Sequence, residues 1–306
     1  VNVVTRVDDL RDLCREAREA RLRVGLVPTM GALHAGHRSL LRAARGATDL
    51  VVLTIFVNPL QFGPDEDYSA YPRDLEADTE VAASEGVDVV FAPPVDEMYP
   101  GGSRTTVHVA GLTDVLCGAS RPTHFDGVTT VLTKLFSIVG PSTAYFGRKD
   151  FQQLAVVRRM VADLDLPVEV VGCPLVRDHD GLALSSRNAY LSEAQREAAG
   201  AMPASLRAAA AAVEGGERSA AAVEAEVRRV LARSPELRPE YVAVVDAAEL
   251  RPLETLDGPT AVLVAARVGT TRLIDNVVLD VTPDGSESDL GIVVPAEESE
   301  SPCAAR

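Results

Sequence analysis

Two histidines three residues apart, His34 and His37, lie in the decapeptide Pro28-Thr29-Met30-Gly31-Ala32-Leu33-His34-Ala35-Gly36-His37. Imidazoles at that spacing share one helical face and can address a single group. The apolar run 24–27 before them reads as a buried parallel strand, and 38–44 after them has helical spacing. A strand-to-helix turn gathers backbone N–H groups and the positive end of a helix dipole, which suits a triphosphate. Two glycines let a ligand come close to the backbone. The same pair could also be a metal half-site or a helix cap, so the choice rests on three further segments.

The first is Asn58-Pro59-Leu60-Gln61-Phe62, after a second apolar run. Pro59 forces an extended turn and leaves Gln61 near a strand's carboxyl end, as a substrate-orienting amide or as a solvated bystander. The second is Gly147-Arg148-Lys149-Asp150-Phe151-Gln152-Gln153. Here Gly147 permits close approach and Lys149 supplies a charge for phosphates. Asp150 could cap a helix or accept from a ribose hydroxyl, and Gln153 stands one turn on. The third is Leu184-Ser185-Ser186-Arg187-Asn188, whose serines and arginine suit phosphate oxygens, although such turns are common. Of the 30 basic residues only Lys134 and Lys149 are lysines. So strong a bias toward arginine suggests that lysine is kept where a compact point charge matters.

The elements that must position these residues alternate. A helix with a capping-box-like start at Thr5 runs to about Ala20, followed by strand 24–27, helix 37–45 and strand 50–57. Helix 74–85, strand 87–91, strand 106–109, helix 126–139, strand 143–147, helix 150–163 and strand 168–173 complete this half. Fully apolar strands alternating with helices predict an α/β, Rossmann-like, doubly wound parallel sheet. Such sheets bind ligands at strand carboxyl ends, where 29–37, 58–61 and 147–150 all fall. From about 176 the character becomes α+β, with helices 192–212 and 218–233 and strands 241–245 and 261–266. Residues 283–306 carry six acidic residues against one arginine and are expected to form a disordered, dispensable tail.

Composition narrows the classes. The chain has 306 residues, 46% apolar and 25% charged, enough for two globular domains. No run of about 18 apolar residues predicts a membrane span, and 1–10 lacks signal-peptide order. Cys14, Cys117, Cys173 and Cys303 have neither metal nor disulfide spacing, which predicts a reducing, cytoplasmic setting. A net charge of −15 argues against a nucleic-acid surface, although ATP could still bind through local cations and a divalent metal.

Taken together and in order, the four segments resemble the pantoate–β-alanine ligase family, nucleotidyltransferase-like enzymes with an H-x-G-H motif. The likeness covers about 1–282 and includes His124-Phe125-Asp126-Gly127-Val128 and Gly269–Asn276. Arg148 stands where an acidic residue is usual, and Phe151 where tyrosine is. The resemblance implies ATP-dependent condensation of (R)-pantoate with β-alanine through pantoyl adenylate, releasing pyrophosphate and AMP, with Mg²⁺ and a homodimer. It implies a catalytic domain over 1–175, a smaller α+β lid domain over 176–282, and the tail beyond.

By motif, Met30, Gly31, Ala32, Leu33, His34, Ala35, Gly36 and His37 would line the triphosphate. Gly147, Arg148, Lys149, Asp150, Val176, Leu184, Ser185, Ser186 and Arg187 would hold ATP, and Gln61 and Gln153 the pantoate. His37, His34, Lys149 and Arg187 would carry the chemistry, and the metal ligands stay open. Another H-x-G-H nucleotidylyltransferase, or a noncatalytic nucleotide- or tRNA-binding module, would share the phosphate cradle. The first gives no reason for paired glutamines, and the charge weighs against the second.

Overall fold

The computed structural model describes residues 1–64 and 66–299, so Cys303 and the last seven residues of the expected tail lie outside the described residues. The chain forms two compact units. One holds Val1–Arg148 and Gln152–Cys173; the other holds Lys149–Phe151 and the chain from Pro174 to the last described residue.

The first unit is built on six parallel strands: β1 (Asn2–Val4), β2 (Val24–Thr29), β3 (Leu50–Ile55), β4 (Val89–Phe91), β5 (Ser142–Gly147) and β6 (Val168–Cys173). Their order is β1-β4-β3-β2-β5-β6, in register from Val24 opposite Leu50 to Thr29 opposite Ile55. Val27, Val51, Leu53 and Val90 face Leu40, Leu41 and Ala44 of α2 (Ala35–Ala47) and Val81 and Ala82 of α3 (Leu75–Ser84). Strand side chains alternate, so Leu26 and Val52 face the other way, the side of α1 (Val7–Glu19) and helix His124–Val139. The order reverses between β2 and β5, the switch point where open α/β sheets place ligands. The strand β2 leads there into Met30–His37.

Two local expectations fail for physical reasons. The first helix starts after Arg6 rather than Thr5, with no side-chain cap of its own; Glu97 accepts from Val7 N at 2.7 Å and does that work from a distance. Residues 106–109 form no strand. Val107 is tied instead to helix hydroxyls, its N–H donating to Thr130 Oγ1 at 3.0 Å and its carbonyl accepting from Thr129 Oγ1 at 2.5 Å.

The second unit pairs β8 (Leu237–Asp246), β9 (Gly258–Val268), β10 (Thr271–Thr282) and β11 (Gly285–Asp289) as an antiparallel sheet in the order β11-β10-β9-β8. Leu206, Ala209 and Val213 of helix Ala201–Glu214 and Val223 and Val227 of helix Ala220–Leu231 pack on Val262, Val264, Val277 and Leu279. The expected helix 192–212 breaks at Gly200, because Pro203 has no N–H to give Ala199. A short parallel pair, β7 (Val176–Arg177) with β12 (Ile292–Val293), completes this unit.

The expected disorder from 283 is overturned through 299. Gly285–Asp289 forms an edge strand on Val278–Thr282, and Ser288 Oγ donates to Glu214 at 2.6 Å. Edge pairing uses backbone groups, so a polar sequence without a core of its own can still join a sheet. Arg177 Nε also donates to the Leu290 carbonyl. Ending the chain at Thr282 should therefore destabilise the second unit by about 2 kcal/mol or more. Urea unfolding of the truncated and full chains measures this; equal midpoints would contradict it.

Candidate active site

In the first unit the carboxyl end of β2 turns sharply. Gly31 has φ +85° and Ala32 φ +51°, and a Cβ on Gly31 would lie 2.7 Å from Asp78 Oδ2. The buried Asp78 carboxylate accepts from Ala32 N at 3.0 Å and Leu33 N at 2.8 Å. Burial pushes this carboxyl up, and the two N–H donors oppose the rise. Gly31 N donates to Thr29 Oγ1 at 3.3 Å.

The histidines then cap α2 reciprocally. His34 Nδ1 accepts from Gly36 N at 3.1 Å, and His37 Nδ1 from His34 N at 3.3 Å. Their ring centroids are 4.1 Å apart. The N–H groups of Gly31, Ala32, Leu33, His34 and Gly36 thus all have partners within the protein, so the expected cradle of open backbone donors is largely spent. What the turn presents instead is chemical: with N–H groups donating into both Nδ1 atoms, each neutral ring carries its proton on Nε2.

Gln61 ends the turn Pro59–Gln61, and the structure brings it to Met30, its Nε2 lying 3.1 Å from the Met30 sulfur. Asn58 organises this corner. Its Nδ2 donates to Gln61 Oε1 at 3.1 Å and to the Gly127 carbonyl at 3.0 Å. Its Oδ1 accepts from Tyr99 Oη at 2.8 Å and from Leu60 N at 3.3 Å. Burial pushes the Tyr99 phenol up, which keeps it a donor. The available signal was an amide directly before proline at a strand end. Lys134, the other lysine, lies with Nζ 5.8 Å from the Tyr99 ring centroid.

Of the glutamine pair on helix Phe151–Asp163, Gln152 is buried and structural, bonded to Cys117 N and to the Leu112 and Val115 carbonyls. Gln153 is half-buried. Arg148 adjoins Arg158 and Cys173 on the first unit's β6 side; its charge lowers Arg158 after burial does, and opposes the burial-driven rise of the Cys173 thiol.

In the second unit Lys149 Nζ is 3.8 Å from Asp150, and the Lys149 carbonyl accepts from Asn276 Nδ2 at 3.0 Å. The neighbouring Asp275 is 1% exposed and bonded bidentately to Arg177 at 2.8 and 2.9 Å. Val176 accepts from Leu184 N at 3.0 Å, which sets the strand leading into Ser185. Ser185 Oγ accepts from Arg187 N at 3.3 Å, and Asn188 Nδ2 donates to the Ala183 carbonyl at 3.0 Å.

The sequence profile of pantoate-β-alanine ligase matches residues 2–278. The chain belongs to that family. It is 55% identical over 272 residues to the pantothenate synthetase of Moorella thermoacetica, covering 89% of this chain and 96% of the relative. The Geobacter sulfurreducens pantothenate synthetase is 51% identical over 279 residues, 91% and 99% of the two chains. The crystal structure of the Thermus thermophilus pantothenate synthetase superposes with a TM-score of 0.85 at 48% identity, over 90% of this chain and 98% of that one. The Francisella tularensis ligase, solved with β,γ-ATP and β-alanine, gives 0.74 at 31% identity, over 90% and 97%.

A close backbone approach controls the Gln61 corner. A Cβ on Gly127 would meet the Leu60 carbonyl oxygen at 2.3 Å and Gln61 N at 2.6 Å. Gly127→Ala should displace the turn, costing about 1–3 kcal/mol of stability and most of the activity. Thermal unfolding with steady-state assay checks this, and wild-type behaviour in both would count against it.

Proposed function

We propose that this chain condenses (R)-pantoate with β-alanine to pantothenate, in two steps at one active site, using ATP. The observation that carries this reading is the family match over 2–278, which spans all four motifs. In the first step a pantoate carboxylate oxygen attacks the α-phosphorus; the bond to the bridging oxygen breaks and pyrophosphate leaves. In the second, the β-alanine amine attacks the acyl carbon of pantoyl adenylate, loses a proton and expels AMP.

Displacement at phosphorus needs position and charge neutralisation more than covalent help. His34 and His37 would donate through Nε2–H to oxygens that gain charge as pyrophosphate leaves, so neither ring needs to be an imidazolium. Lys149 and Arg187 would add full positive charge, with the backbone of 30–37 and 147–150, Val176, Leu184, Ser185 and Ser186 shaping the nucleotide site. Gln61 and Gln153 would hold pantoate. Neutral amides suit a nucleophilic carboxylate, since a bidentate arginine would stabilise the ground state and raise the barrier.

Among the described residues no cluster of three or more His, Cys, Asp or Glu side chains could hold a metal. Mg²⁺ asks for little from a protein, taking one or two carboxylates and otherwise water and phosphate oxygens. It therefore fits here as a companion of the nucleotide, with Asp150 the carboxylate nearest Lys149; bound there it would screen phosphate charge. Among the described residues no helix is long and apolar enough to cross a membrane. A cytoplasmic homodimer is the setting that the family likeness supports.

The deciding experiment follows AMP and pyrophosphate separately. Pyrophosphate release should require pantoate alone, and AMP release should require β-alanine as well. AMP release without pantoate would defeat the assignment and favour another nucleotidylyl transfer. His37→Ala and Lys149→Ala should each slow pyrophosphate release by more than about a hundredfold, the scale of one lost charge-stabilising donor. Near-normal rates in either variant would remove that residue from the chemistry.

A further inference from the structure

Behind Gln61 stands a second layer of side chains. Arg121 donates to Glu66 bidentately, from Nε to Oε1 and from a terminal nitrogen to Oε2, both at 2.6 Å. Its other terminal nitrogen lies 2.9 Å from His124 Nε2. A guanidinium can only donate, so Nε2 is the acceptor and the His124 proton sits on Nδ1. That Nδ1 is 2.8 Å from the Gln61 carbonyl oxygen. Gly63 N donates to Glu66 Oε2 at 3.2 Å, tying the far end of the same loop. Burial raises the Glu66 carboxyl, but the Arg121 guanidinium and the Gly63 N–H outweigh it and bring it to about 2, so the anion persists.

The order is therefore anion, cation, neutral imidazole, carbonyl, with a longer direct contact from Arg121 to that carbonyl at 3.4 Å, and it ends on the residue whose side-chain amide Asn58 already orients. Thr123, directly before His124, is a β-branched residue at φ +69°. Such a backbone is strained and persists where its surroundings over-determine it. Here it sets the His124 ring, which also meets Phe125 edge-on at 5.0 Å.

We infer that His124, held in its Nδ1–H tautomer by Arg121 and Glu66, is a positioning residue for the acid substrate. It fixes the Gln61 backbone, and so the place of the Gln61 amide, and sets affinity for pantoate without touching it. This rests on the reading that Gln61 binds pantoate.

The test is pantoate-dependent pyrophosphate release in Gln61→Ala, His124→Gln, His124→Asn and the double variant Gln61→Ala/His124→Gln, with thermal unfolding of each. His124→Gln keeps volume but has no donor where Nδ1 stood; His124→Asn restores one. Loss of that hydrogen bond should raise KM for pantoate about tenfold in His124→Gln, with KM for ATP within about twofold. His124→Asn should return to within about threefold of the wild type, since it keeps a donor there. In the double variant His124→Gln should add no further pantoate effect, because the group it positions is gone.

A parallel rise in both KM values, an additive double variant, or His124→Asn no better than His124→Gln would each overturn the proposal. So would an unchanged pantoate KM in His124→Gln alongside a raised one in Gln61→Ala, which leaves the assignment of Gln61 standing. An unchanged pantoate KM in Gln61→Ala would overturn that assignment itself, and this inference with it.

Discussion

The buried pair of Arg177 and Asp275 is the interaction on which the internal register of the second unit depends. All five guanidinium donors are used: two on Asp275, and one each on the carbonyls of Gly181, Asn276 and Leu290. Burial pushes Asp275 up, and Arg177 and then Lys149 oppose it. Two charges taken out of water gain little net stability, but a fully bonded arginine fixes which segments meet. Here it joins β7, the 178–182 turn, β10 and the chain after β11. The residue next to Asp275 then bonds the Lys149 carbonyl, so Lys149 is registered to this sheet although it follows β5 in sequence.

The first unit uses satisfied polar groups in the same way. Asp78 binds the turn after β2, Asn58 the turn after β3, and Gln152 the loop at 112–117. Each is a buried side chain whose hydrogen bonds replace those that irregular backbone cannot make with itself. The parallel sheet supplies the coarse position of the loops at its switch point. These three side chains supply their shape.

The sheet was legible because fully buried parallel strands read as unbroken apolar runs, as in 50–55, and because the helices between them keep a clear period. The four polar segments stood out because each falls at an element boundary, where residue type is chosen for more than packing. What sequence hid were partners distant along the chain. Glu97 capping the first helix, Asp78 filling the backbone donors of 32 and 33, and Asn58 orienting Gln61 have no local signature. The strand β10 was missed because Asp275 interrupts its apolar face between Leu273 and Val277. The strand β11 was missed because an edge strand borrows its stability from a neighbour's backbone.

The reciprocal caps of His34 and His37 make the ring pair part of the helix it begins. A proton added at Nδ1 of either ring would set hydrogen against hydrogen where an amide now donates. Helix capping thus occupies one nitrogen of each ring and leaves the proton of the neutral ring on the other.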